Sequence, residues 1–177
     1  MLFRSLTRLE KVFADGVPAV ENTVEKFWDS IPDALVVYQS AELVSWWGSL
    51  PASWKQVFAE IDPYTGTPDR EQLHRIASIK ELDISRNRDI SSLMPVSQLR
   101  KLEVLRFSGT QVADVLPVGL IKRVKELDCS NTPVSDLSPL TTNSGLEILN
   151  CSNTPVKDID PLRSEEHTSE LQSLSHL

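Results

Sequence analysis

The sequence predicts an α/β solenoid, a short stack of coils joined by a parallel β-sheet and preceded by an α-helical N-terminal cap. Three observations predict it. Pro95, Pro117, Pro139 and Pro161 stand 22 residues apart, and Asp114, Asp136 and Asp158 keep the same step, as do Val112, Val134 and Val156. Leu82, Leu105, Leu127 and Leu149 follow with a single step of 23, so one extra residue lies in the first unit, within Arg86 to Asp89. Upstream of Ile79 the repeat is absent, and apolar residues recur at helical spacing instead.

Each unit opens with the pattern of Ile79 to Ser85: an apolar residue, two variable positions, Leu, one variable position, a second apolar residue and Ser. That alternation has the period of a short strand with one face buried. Ser-Asn-Thr-Pro or Ser-Gly-Thr then marks a turn. The fixed proline forbids a long helix in the back half, which reads as an extended or 3₁₀ segment returning to the next strand. One unit cannot shield its own apolar edge. Stacked neighbours can, and about three or more are needed for stability.

From Ile79 to Leu162 the chain resembles the bacterial leucine-rich repeat family in its 22-residue, internalin-like type, because four units keep spacing and residue type together. The resemblance implies protein recognition on the concave strand face. Two positions depart from the family pattern. Where asparagine often leaves the strand and bonds the neighbouring turn, this chain has Asn87, Thr110, Thr132 and Thr154, and the threonine hydroxyl is expected to do that work with one donor. Asn143 replaces an expected Leu or Ile, which predicts a looser third back segment.

The first half reads as helical. Leu2, Phe3, Leu6, Leu9, Val12 and Phe13 share one face, and Asp15-Gly16 ends that helix. Val20, Val24, Phe27 and Ile31 form a second, and Leu35 to Trp47 a third. After the break at Ser49-Leu50-Pro51, Trp54, Val57, Phe58 and Ile61 form a fourth. Thr67-Pro68-Asp69 reads as an N-cap, a first-turn proline and a first-turn acid, opening a helix with Leu73 and Ile76. The expected organisation is a helical segment at 1–45, a helical cap at 46–78, four repeats at 79–162 and a non-native tail at 163–177. An oligomerising role for 1–45 is a further reading.

Arg163 to Ser173 reads RSEEHTSELQS, which matches the translation of a common sequencing adapter, so the tail is set aside. Its removal leaves His74 as the one remaining histidine and a net charge of about -5. The expectation is a fragment whose natural chain continues past Leu162. No basic segment followed by a long apolar one stands at Met1, which favours a cytoplasmic location.

The 18 basic and 25 acidic residues argue against nucleic acid as a partner, since no excess of cations exists to neutralise phosphates. No apolar run approaches the roughly 20 residues of a bilayer span, so no membrane insertion is expected. Cys129 and Cys151 take one inward position in adjacent units. They are a redox pair, half a metal site or, as expected, two small core residues. Trp28, Trp46, Trp47 and Trp54 suit the core of a cap better than a ligand pocket. His74 is either a general base beside Asp69 or Glu71 or, as expected, a surface residue. Asp114, Asp136 and Asp158 are expected to bond backbone groups of their own turns, not calcium. With no catalytic motif, no metal site and no cofactor loop, the reading is a non-enzyme.

What remains is the concave face. Its candidate partner-binding residues are Glu81, Asp83, Val104, Arg106, Glu126, Asp128, Ile148 and Asn150. A regular sheet holds them at fixed spacing, which lowers the ordering cost of binding. The expected function is a non-catalytic module that binds another protein. The alternatives are a solvated face of a structural spacer, or the adaptor part of a larger bacterial effector or surface protein.

Overall fold

A computed structural model describes residues 8–18, 21–85 and 87–162 of the chain. Leu2, Phe3, Leu6, Val20, Arg86 and the tail from Arg163 lie outside the described residues. The chain divides into two compact units, Met1–Ile79 and Lys80–Leu177.

The first unit mixes strand and helix where the sequence predicts helix alone. Lys11–Phe13 is a strand (β1), Glu21–Ser30 a helix (α1) and Leu35–Val37 a second strand (β2). β1 and β2 pair in parallel, Val12 opposite Val36, with α1 as the crossover that parallel neighbours require. The expected helices through Val12 and Phe13 and through Leu35 are therefore corrected. Three-residue strands are too short for their period to stand out from a helical one. The β-branched pair Val36-Val37 favours the extended form, and Gln39 at φ 52° turns the chain before the next helix begins. Val24, Trp28, Val36 and Tyr38 form the core of this part, with Val12, Ala14 and Phe27 packed against it.

Three more helices follow, Ser40–Ser49 (α2), Ala52–Ile61 (α3) and Arg70–Ala77 (α4). The expected boundary at 45/46 falls inside α2. Asp69, not Thr67, caps α4: its carboxylate accepts from Gln72 N–H, and the Gln72 side chain returns to Asp69 N–H, a complete capping box. Phe58 is fully buried amid the rings of Trp46, Trp47 and Trp54, with centroids 5.4, 6.2 and 5.5 Å away. The tryptophans thus serve the core, as expected.

The second unit is built on the repeat. Glu81–Asp83 (β3), Val104–Arg106 (β4), Glu126–Asp128 (β5) and Ile148–Asn150 (β6) form one parallel sheet in sequence order. Leu82, Leu105, Leu127 and Leu149 stand opposite one another in a single column. Leu82, Leu105 and Leu127 are buried, and Leu149 is half-buried. Ile84, Phe107, Cys129 and Cys151 take the next inward position.

The back segments are short: 3₁₀ turns at Met94–Gln98, Ser138–Thr142 and Asp160–Leu162, and one α-turn at Leu116–Gly119 (α5). Each carries the repeated proline as its second residue, where the missing N–H leaves no bond unmade. Just ahead of each 3₁₀ or α-turn in the last three units, an aspartate fixes the start: Asp114, Asp136 and Asp158 accept from Leu116, Ser138 and Asp160 N–H, each at 2.8 Å. In the first unit Ser92 accepts from Met94 N–H at 3.3 Å. The turns after the strands place Gly109, Asn131 and Asn153 at φ 71°, 56° and 57°, the left-handed region that these residue types enter most readily.

Two expectations about the turns are corrected. Thr110, Thr132 and Thr154 do not bond the neighbouring unit; their hydroxyls donate to the carbonyls of Phe107, Cys129 and Cys151 within their own turns, at 2.8, 2.5 and 2.6 Å. A hydroxyl on so short a stem reaches its own turn sooner than the next one. Asn143 does not loosen the third unit. It is buried, and its Nδ2 donates to the carbonyls of Val118 and Ile121 in the preceding unit, at 3.2 and 2.7 Å.

Candidate binding face

Strand register decides which side chains meet on the open face of the sheet. Glu81, Val104, Glu126 and Ile148 form one row, and Asp83, Arg106, Asp128 and Asn150 the next. Successive members of a row are about 4.8 Å apart. All eight predicted binding residues lie in these two rows. Glu81, Asp83 and Ile148 are exposed, Ile148 at 58%, and the other five are half-buried.

The rows differ in how their side chains are held. Asp83 accepts from Ser85 N–H and Asp128 from Ser130 N–H, both at 2.9 Å, and Asn150 accepts from Ser152 N–H at 3.2 Å. These bonds orient the side chains and close the turn that follows each strand. Arg106, a donor only, makes no such bond and reaches diagonally instead. Its Nε and Nη2 both donate to Glu126 Oε1, at 3.1 and 2.6 Å. That bond, with the charges of Glu126, Glu81 and Asp83 around it, raises the guanidinium's already high pKa.

The row before the strands was missed at the sequence level although the repeat spacing marks it. Before the strands run Lys80, Glu103, Lys125 and Glu147, of alternating charge, with Lys125 Nζ 2.8 Å from Glu103 Oε2. After the strands, Ser108 and Ser130 share a hydroxyl bond of 2.9 Å, and Asn153 Nδ2 donates to Asn131 Oδ1 at 3.1 Å. The cross-unit asparagine contact thus exists one position earlier than the threonines.

The first unit holds a polar chain, buried at two of its three members, that no local sequence pattern marks. Ser40 and His74, the latter 2% exposed, are both buried. The expected surface histidine is therefore a core residue. Asp15 Oδ1 accepts from Ser40 N–H at 2.9 Å, and Oδ2 from the Ser40 hydroxyl at 2.7 Å. With its proton committed there, Ser40 Oγ accepts from His74 Nε2 at 3.1 Å. The order is the reverse of a hydrolytic relay, in which the carboxylate orients the imidazole and the imidazole faces the serine proton. Here the carboxylate caps the N-terminus of α2, whose own preceding residue, Gln39, makes no side-chain cap.

Cys129 and Cys151 are both free thiols, not joined in a disulfide. Burial pushes the Cys129 thiol up to about 12, far from the reactive thiolate range. Among the described residues no group of three or more His, Cys, Asp or Glu side chains is placed to hold a metal ion, and no helix is long and apolar enough to cross a membrane.

Comparison with known proteins agrees with this geometry. Residues 122–164 match the family model for leucine-rich repeats, in two copies. Among solved structures, the internalin inlF of Listeria monocytogenes is similar with a TM-score of 0.54 and 22% identity, over 63% of this chain and 32% of that one. The internalin C2 of the same organism is 31% identical with a TM-score of 0.47, over 49% of this chain and 38% of that one. This chain therefore spans about a third of the length of the internalins it matches. No curated protein sequence matches it.

Proposed function

For a chain that carries leucine-rich repeats in an internalin-like fold, we propose a non-catalytic module that binds a partner protein through the concave face of a short solenoid. One observation carries the reading: eight side chains from four strands stand in two registered rows on the open face of the sheet, several already oriented by bonds to the backbone. Leucine-rich repeat domains generally bind proteins, and a preordered face loses less entropy when a partner arrives. A stack of coils also needs its first layer shielded. We assign that role to residues 46–78, as a helical N-terminal cap.

Photocrosslinking tests the face whatever the partner is. A benzoylphenylalanine in place of Ile148 should yield a discrete protein adduct in cell extract. The same group in place of Leu120, an exposed residue just after α5 in the back segment, should not. Adducts from Leu120 alone would reject the concave face.

The second reading, an adaptor within a larger effector or surface protein, is favoured by the chain's covering 32% of the internalin's length. Sequencing the gene across both ends of this chain decides it: a catalytic domain found there supports an effector, and a wall-anchoring tail supports a surface protein.

A further inference from the structure

The charge of the open face is uneven, and the unevenness is confined to two rows. In the row of Lys80, Glu103, Lys125 and Glu147 the signs alternate and cancel, and the serine row beyond the strands is neutral. Between them, the two rows hold four carboxylates, Glu81, Asp83, Glu126 and Asp128, and one cation, Arg106, which is bonded to Glu126. Glu81 and Asp83, like Glu126 and Asp128, stand two residues apart on one strand, about 7 Å, and repel one another, and one guanidinium does not balance four carboxylates. Two of the four are also fixed in direction, since Asp83 and Asp128 each commit Oδ1 to a backbone N–H. Beside the carboxylates lie two aliphatic side chains, half-buried Val104 and 58%-exposed Ile148, one on each side of Glu126 in its row.

Resting on the concave-face reading above, we propose that this face takes a basic segment of a partner protein. Its Arg or Lys side chains seat on the carboxylates of Glu81, Asp83, Glu126 and Asp128, and its aliphatic groups lie on Val104 and Ile148. Complementary charge steers the encounter and rejects acidic surfaces, while the aliphatic pair supplies contact area that charge alone lacks. The cationic groups of the partner meet carboxylates already oriented, so the charge-assisted bonds form at reduced ordering cost.

A random peptide library displayed on phage provides the probe. The full chain is the bait, and the quadruple variant E81Q, D83N, E126Q and D128N is the counter-selection. The substitutions keep the fold: Asn150 already closes its turn through an amide oxygen, as asparagine at 83 and 128 would, and the amide oxygen that E126Q introduces still accepts from Arg106. A second variant, V104S with I148S, removes the aliphatic pair alone. The expected result is enrichment of peptides rich in Arg or Lys with interspersed aliphatic residues. Their binding should fall about tenfold or more on the quadruple variant and weaken as salt is raised. Peptides that depend on Val104 and Ile148 but carry no basic excess would overturn the basic-partner inference and leave the concave face standing. Enriched peptides indifferent to both variants would overturn both. Absence of enrichment counts against the basic-partner inference, because a preordered acidic face should retain basic peptides.

Discussion

In the repeat unit, Leu105 meets Leu82 on one side and Leu127 on the other, so the same contact is made again at each strand. In the preceding unit Phe58 meets Trp46, Trp47 and Trp54, a set of rings that no repeat spacing reproduces. Both arrangements bury apolar side chains completely, but by different logic. Translated contacts make stability a sum of similar increments, in which a residue's worth depends on whether it has neighbours on both sides. Singular contacts concentrate stability at a few positions.

The largest effects separate these two cases. Phe58→Ala should cost about 3–5 kcal/mol and Leu127→Ala about 2–5 kcal/mol, as for large-to-small changes in packed cores. Leu149, chemically the same as Leu127 and in the same column, is only half-buried at the last strand, and Leu149→Ala should cost about 1 kcal/mol. Urea titration of the three variants measures this. Equal losses at Leu127 and Leu149 would show that position in the stack does not set a residue's worth.

The same contrast explains what could be read beforehand. The column of Leu82, Leu105, Leu127 and Leu149, the prolines of the back segments and the aspartates that start them were legible because each signal occurs three or four times at one spacing. All eight candidate face residues followed from that register. The strands Lys11–Phe13 and Leu35–Val37 were not legible, because each is three residues long and its pairing partner lies across a helix. His74 was misread for a related reason. Its burial depends on Ser40 and Asp15, neither of which is marked by local pattern. The diagonal bond from Arg106 to Glu126 needed side-chain reach, which register alone does not give.

Asn143 is the place where a singular contact interrupts the repeat, and it gives an intermediate effect. Its Nδ2 bonds join the third unit to the second, while its Oδ1 is buried without a partner. Asn143→Ala removes two bonds and leaves a space, a loss of about 1–3 kcal/mol. Asn143→Leu restores the apolar residue that Leu99 and Ile121 supply in the earlier units and removes the stranded oxygen, so it should recover most of that loss. If the leucine variant is as unstable as the alanine variant, the amide bonds hold the units together and the apolar pattern does not.

The smallest effect lies in the first unit and depends on pH. The Ser40 hydroxyl, then the Ser40 backbone N–H, hold the Asp15 carboxyl below its ordinary value of 3.8, with smaller help from Arg70 and His74 against the opposing effect of burial. A carboxylate depressed in the folded state adds stability above its unfolded pKa, and that contribution disappears as pH falls through the folded value. Asp15→Asn keeps one acceptor for the α2 N-terminus but turns an amide toward the Ser40 hydroxyl, and should cost about 1 kcal/mol near neutral pH, the usual scale of a lost helix cap. The difference between wild type and variant should be constant from neutral pH down to about pH 5 and shrink as pH drops below about 4. Asp136 in the repeat unit provides the contrast, since its carboxyl is also held low, by Ser138, yet it is exposed and its turn type tolerates the amide that Asn150 already uses. Asp136→Asn should therefore change the urea midpoint less than Asp15→Asn at every pH. A difference at Asp15 that stays constant down to about pH 2 would mean that its charge contributes nothing and that the side chain acts by shape alone.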